Sequence, residues 1–143
     1  MIEGYPVTIT VPLLWGDHDE FGHVNNVVYL KWCETARVAY LQRVNMWPKL
    51  PPQKEGPILA SISCDYRIPL TYPDTVRIGA RVTRIGRTSM RMDHVVYSES
   101  AGAVAAEVTS TLVLLDYSIP RSVPLTPEQR RTIEELEGRP LIE

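Results

Sequence analysis

The densest run of reactive side chains in the sequence is Gly16-Asp17-His18-Asp19-Glu20-Phe21-Gly22-His23-Val24-Asn25-Asn26, with three acids and two histidines among turn-forming residues. A carboxylate here can attack an electrophile directly or act as a base toward water, and an imidazole can share the proton transfer. Asn25 and Asn26 stand where a helix begins, and either side chain can cap it by accepting an N–H of the first turn. Backbone N–H groups near Asn26 and Val27 then face the loop as unsatisfied donors, with the positive end of the helix dipole behind them. Such donors stabilise an oxyanion. Asp17 reads as a loop brace, Asp19 can serve as nucleophile or base, and His18 reads as a solvated side chain. His23 fits both a catalytic partner and a structural hydrogen-bonder. Ser63, Cys64, Thr88 and Ser89 form no triad with a histidine at recognisable spacing, which argues against serine or cysteine hydrolase chemistry.

A second concentration is basic. Residues 77–91 carry Arg77, Arg81, Arg84, Arg87 and Arg91 with no acid. Two readings stand side by side: a clamp for phosphate groups, or hairpin arginines that are solvated or pair across subunits. His94 reads as structural.

The elements that must position these groups follow from hydrophobic period and turn chemistry. Tyr5–Trp15 is β-branched and partly alternating, with prolines that suit an edge strand. From Val27 the period changes: Tyr29, Cys33, Ala36, Tyr40 and Val44 form one helical stripe, flanked by Trp32 and Ala39, and predict a helix over 27–45, about 28 Å long. Arg37 falls off that stripe and is expected to pair loosely with Glu34 on the surface. Residues 46–57, with Pro48, Pro51, Pro52 and Pro57, read as a loop. Ile58, Ala60, Ile62, Cys64, Tyr66 and Ile68 then alternate as one apolar strand face. Further strands are expected over 76–83, 88–98 and 103–116 at hairpin spacing, which implies an antiparallel meander. Thr126-Pro127 starts a short C-terminal helix seated by Ile133 and Leu136. A sheet of about five strands that curls around one long helix buries the stripe of that helix, an α+β arrangement. Its bare edges and uncovered face make oligomerisation the expected solution.

The averages are ordinary. With 143 residues, 44% hydrophobic, 22% charged and a net charge of −2, the chain reads as one folded domain over 1–143 and neither as a disordered segment nor as a dedicated nucleic-acid binder. No apolar run approaches the ~20 residues of a membrane span, and Met1–Pro6 lacks a signal-peptide pattern, so a cytoplasmic location is expected. Cys33 and Cys64 are too few and too far apart for a zinc motif or a disulfide framework; neither a metal nor a cofactor is expected.

The stretch Trp15-Gly16-Asp17-His18-Asp19-Glu20-Phe21-Gly22-His23-Val24-Asn25-Asn26-Val27-Val28-Tyr29-Leu30, running into Glu34-Thr35-Ala36-Arg37, resembles the signature of hot-dog-fold acyl-CoA thioesterases. It is similar to the 4-hydroxybenzoyl-CoA thioesterase family, most closely to the branch with a His-Val-Asn-Asn tetrad. Cys64-Asp65-Tyr66-Arg67, followed by Pro69 and Asp74, resembles the family's middle segment. The resemblance implies a hot-dog fold, a homodimer or homotetramer with active sites at the subunit interface, and hydrolysis of an acyl-CoA or acyl-carrier-protein thioester. It puts the catalytic carboxylate on Asp19 and the tetrad's histidine on His23. An asparagine found in the plant acyl-carrier-protein branch is replaced here by Phe21, and that branch's second acidic position falls on Asp65. The expected site is then Asp19, His23 and Asn26 for catalysis, with Phe21, Asn25, Tyr29, Arg87 and Arg91 contacting substrate. Two other readings stay open on the same loop: a non-catalytic acyl-thioester binder, and a hot-dog hydratase or dehydratase.

Overall fold

The computed structural model describes residues 2–47 and 54–141. Pro48, Pro51 and Pro52 of the expected loop lie outside these residues. The elements run β1 (Val7–Pro12), a short 3-10 turn (Trp15–Asp17), α1 (Asn26–Arg43), β2 (Glu55–Tyr66), β3 (Thr75–Ile85), β4 (Ser89–Ser98), β5 (Ala103–Asp116), β6 (Arg121–Ser122) and α2 (Pro127–Glu137). All strand pairs are antiparallel, in the order β1-β3-β4-β5-β2, with the two-residue β6 also paired to β5. The sheet curls around α1, as the hot-dog arrangement requires.

The first strand is shorter than its composition suggested. The ladder runs one bond past Pro12, where Leu13 N–H donates to the Asp74 carbonyl at 2.9 Å, and ends. The chain turns there and delivers the reactive loop to the start of α1.

On α1 the expected stripe is buried: Tyr29, Cys33, Ala36, Tyr40 and Val44, together with Trp32 and Leu41. Arg37 departs from expectation. It is only 8% exposed, and no ion pair with Glu34 forms among the described residues. It sits one turn after Cys33, and a sheet that curves around a helix covers the flanks of the stripe as well as its centre.

The meander also needs a correction. β3, β4 and β5 are consecutive neighbours, but β2 does not lie beside β3. It crosses to the far edge and pairs with β5. The connection from Tyr66 to Thr75 is no hairpin turn; it runs across the sheet end, where Arg67 N–H and Ile68 N–H both reach the Ala105 carbonyl and the Leu70 carbonyl accepts Val24 N–H. The single apolar face expected on β2 is broken as well. A bulge between Leu59 and Ser61 interrupts the alternation, and Ile58, Leu59 and Tyr66 remain 38–45% exposed.

The first strand approaches the sheet over Gly79. A Cβ there would lie 2.8 Å from Tyr5 Cγ, and the Tyr5 ring carries the Arg81 guanidinium at 4.3 Å. Gly79→Ala therefore has to push the base of the tyrosine away and break this stack. The expected loss is about 1–3 kcal/mol, read as a lower urea midpoint at unchanged slope.

The C-terminal helix starts with a reciprocal Thr126–Gln129 capping box and Pro127 in its first turn, and stops at Gly138 in the left-handed region (φ 76°). Glu137 Oε2 accepts both the Tyr40 hydroxyl (2.6 Å) and Val82 N–H (2.8 Å). One carboxylate thus ties α2 to the central helix and to a β3 donor beyond the point where β1 pairing ends at Ala80.

Candidate active site

The reactive loop is a closed turn. Asp19 N–H donates to the His23 carbonyl at 2.9 Å and Gly22 N–H to the Asp19 carbonyl at 3.1 Å, with Gly22 at φ 82°, a conformation open to glycine at little cost. Asp19 Oδ1 accepts Phe21 N–H at 2.9 Å, an Asx turn that fixes the carboxylate's orientation. Its other oxygen makes no hydrogen bond among the described residues. Asp17 behaves as the expected brace, accepting Leu14 N–H at 2.8 Å through Oδ2 while its carbonyl accepts Asn25 N–H. The tip of the turn is open: Asp19 and His23 are exposed and Phe21 is 80% exposed. No hydrogen bond or ion pair joins the Asp19 carboxylate to the His23 imidazole among the described residues, so what the fold shares between them is a backbone turn.

Asn25 is the N-cap of α1. Its Oδ1 accepts Val27 N–H at 3.0 Å, and its carbonyl accepts Val28 N–H at 2.9 Å. The expectation that Val27 offers a free donor is thereby corrected, because the cap consumes it. Asn26 N–H is the first-turn donor with no acceptor among the described residues, and it sits at the positive end of the helix dipole.

Beside this donor is a cleft of about 290 Å³ lined by Val24, Asn26, Tyr29, Tyr66, Arg67, Ile68 and Pro69. Tyr29 is buried and donates to the Ile68 carbonyl at 3.4 Å; its ring meets that of Tyr66 edge-on at 5.0 Å. Tyr66 donates to the Asn26 carbonyl at 3.1 Å. Burial, with Cys64 alongside, pushes the Tyr66 hydroxyl up to about 12, so it stays a donor at neutral pH. Sequence reasoning placed Tyr66 on a core face and missed it as a wall of the cleft; its place within Cys64-Asp65-Tyr66-Arg67 was the available signal. Asp65 is exposed and does not line the cleft. Burial raises both thiols, Cys33 to about 12, which leaves neither as a thiolate nucleophile at neutral pH.

The arginine run divides. Arg77 pairs with Glu99 (3.4 Å) and lies over the Tyr97 ring, and Arg81 pairs with Asp93 (3.6 Å) and lies over Tyr5. Both are structural. Arg84, Arg87 and Arg91 line an open pocket of about 480 Å³ with Thr88, Ser89 and Thr111, and Arg91 also reaches the edge of the Asp93 carboxylate at 4.0 Å. This pocket is at the β3–β4 hairpin, whereas the Asp19 loop is tied to the other end of β3 through Asp74. At ~3.3 Å per residue the length of β3 sets them about 30 Å apart, so one chain does not bring Arg87 and Arg91 to its own Asp19. Among the described residues, no group of three or more His, Cys, Asp or Glu side chains is arranged to hold a metal ion.

The sequence profile of the thioesterase-like superfamily matches residues 13–133, from just after β1 through the loop, α1 and strands β2 to β6 to Ile133 in α2. The chain belongs to the thioesterase-like superfamily. Among curated relatives of this thioesterase is the long-chain acyl-CoA thioesterase FadM of Escherichia coli K12, 25% identical over 82% of this chain and 89% of that one. A thioesterase from Thermus thermophilus, solved with coenzyme A and Zn, superposes with a TM-score of 0.84 at 36% identity, covering 98% of this chain and all of that one. A DHNA-CoA thioesterase from Staphylococcus aureus, 16% identical, covers 95% of this chain and 97% of its own with a TM-score of 0.81, and shares the fold. The thioesterase-like chain is thus a hot-dog thioester hydrolase, and no helix among its described residues is long and apolar enough to cross a membrane.

Proposed function

We propose that this thioesterase cleaves an acyl-CoA or acyl-carrier-protein thioester with Asp19, acting as nucleophile or as general base toward water, while Asn26 N–H polarises the carbonyl. The observation that carries the reading is the unspent Asn26 N–H at the mouth of the tyrosine-walled cleft, next to a turn that holds an exposed carboxylate. Thiolate is a good leaving group, so a site with few acids suffices. His23 is the second proton-handling group, and Asn25 holds the donor in place by capping α1. Tyr29 and Phe21 contact the acyl group.

Arg87 and Arg91 hold the phosphates of the carrier for a neighbouring subunit's Asp19, which makes the working unit a homodimer or homotetramer of one-domain chains, acting in the cytoplasm. β2 supports this assembly, with its bare edge and exposed Ile58, Leu59 and Tyr66. Replacing both arginines by alanine is expected to raise KM for acyl-CoA about a hundredfold or more at nearly constant kcat, since each charge-assisted contact is worth about 1.5–3 kcal/mol. A truncated pantetheine thioester without the nucleotide should be processed equally by wild type and variant.

The activity itself is tested by incubating the protein with aromatic, short-chain and long-chain acyl-CoAs and a free-thiol reagent. Thiol release supports the proposal. Binding without thiol release identifies an acyl-thioester binder, and a 3-hydroxyacyl product from enoyl-CoA identifies a hydratase.

A further inference from the structure

His18, the residue between the two loop aspartates, is bound to the 67–74 connection. Its Nε2 accepts Tyr72 N–H at 2.7 Å. A backbone N–H can only donate, so Nε2 carries the lone pair and the ring is neutral with its proton on Nδ1. The ring is wedged edge-on against Trp15 at 5.4 Å, and Trp15 in turn meets Tyr72 at 5.7 Å. On the backbone, His18 forms an isolated bridge with Val24, and Val24 N–H reaches the Leu70 carbonyl. The Asp19 turn hangs between these two points. It is attached to the 67–74 connection once through Val24–Leu70 and once through His18–Tyr72.

The geometry points to His18 as a positioning residue: its neutral imidazole bolts the Asp19 turn to the 67–74 connection at Tyr72 and so sets where the carboxylate stands relative to Asn26 N–H. This rests on the reading of Asp19 as the catalytic carboxylate. A proton on Nε2 would set two N–H groups against each other and release the bolt. The charged and titratable groups around it are Asp17, Asp19, Glu20 and His23 on its own loop, and Tyr72 and Asp74 on the connection. Two of these carboxylates are engaged elsewhere: Asp17 with Leu14 N–H, and Asp74 with Thr75 N–H, Ser98 Oγ and Ser100 N–H.

Three measurements test this. In long-range 15N–1H spectra of histidine-labelled protein at mildly alkaline pH, His18 Nε2 is expected to be bare and Nδ1 protonated; the reverse tautomer overturns the proposal. His18→Leu, which removes the acceptor, is expected to lower kcat on acyl-CoA roughly tenfold to hundredfold. His18→Gln, whose side-chain oxygen has similar reach and can accept Tyr72 N–H in place of Nε2, should recover kcat to within a few-fold. Wild-type kcat in His18→Leu, or a kcat no better than that of His18→Leu in a folded His18→Gln, overturns it. Failure of the Asp19 assignment is separable, because it shows as activity surviving loss of Asp19 and leaves the tautomer unaffected.

Discussion

Asp19→Asn is expected to lower kcat/KM on acyl-CoA by about 10²- to 10⁴-fold, the usual weight of a positioned general base or nucleophile, with little change in melting temperature. Asparagine is chosen because Asp19 Oδ1 already serves the turn by accepting Phe21 N–H. The amide oxygen keeps that bond, so the turn persists while the negative charge and the nucleophile are gone. Asp19→Ala removes chemistry and turn together and should be no more active. Initial rates of thiol release, with thermal melts of both variants, check the prediction. Activity near wild type in either variant would remove Asp19 from the reaction.

Acid should destabilise this protein through a residue remote from the loop. His94, on β4, is 1% exposed, and neither ring nitrogen has a hydrogen-bond partner among the described residues. Burial first, and the Arg37 charge second, push it from the ordinary 6.5 down to about 3. The folded chain therefore refuses a proton that the unfolded chain accepts. The sign follows: stability is fully present above about pH 6.5 and is lost as pH falls from there toward 3, because unfolding takes up a proton across that window. At pH 5 the loss is roughly 2 kcal/mol, about 1.5 pH units at ~1.4 kcal/mol each. His94→Leu should abolish this part of the acid sensitivity and hold or raise stability at pH 7, since it replaces unsatisfied buried polar atoms by a packed apolar side chain. Urea midpoints of wild type and variant at pH 7 and pH 5 read the difference directly. Parallel losses in the two proteins would show that His94 does not carry it.

Local pattern made much of the architecture legible. The stripe Tyr29–Val44 predicted a helix over 27–45 where α1 spans 26–43, and the strand expected over 103–116 is β5 to the residue. These elements are set by period and by turn residues that act within a few positions. The misplaced features depend on residues far apart. Crossing β2 to the outer edge is a long-range pairing that no local period encodes, and the Ala60 bulge hides inside an alternation that looks regular on paper. Arg37 reads as surface until the sheet curls over the helix flank. In the site, the loop chemistry and the Asn25 cap were readable because caps and Asx turns are local. Tyr66 as a wall, the lock between His18 and Tyr72, and the separation of Arg87 and Arg91 from Asp19 needed the three-dimensional path.

The two borders of the sheet are unlike each other. β1 is short, flanked by Pro6 and Pro12, and the β3 donor beyond it is stoppered by Glu137. β2 is twice as long and has no charged side chain from Pro57 to Cys64. A sheet with one blunted and one receptive border cannot add copies head to tail, because such growth needs both. Receptive border against receptive border is self-complementary and uses itself up at two chains. In the proposed assembly, the same asymmetry that exposes β2 would stop edge-to-edge growth before a filament forms.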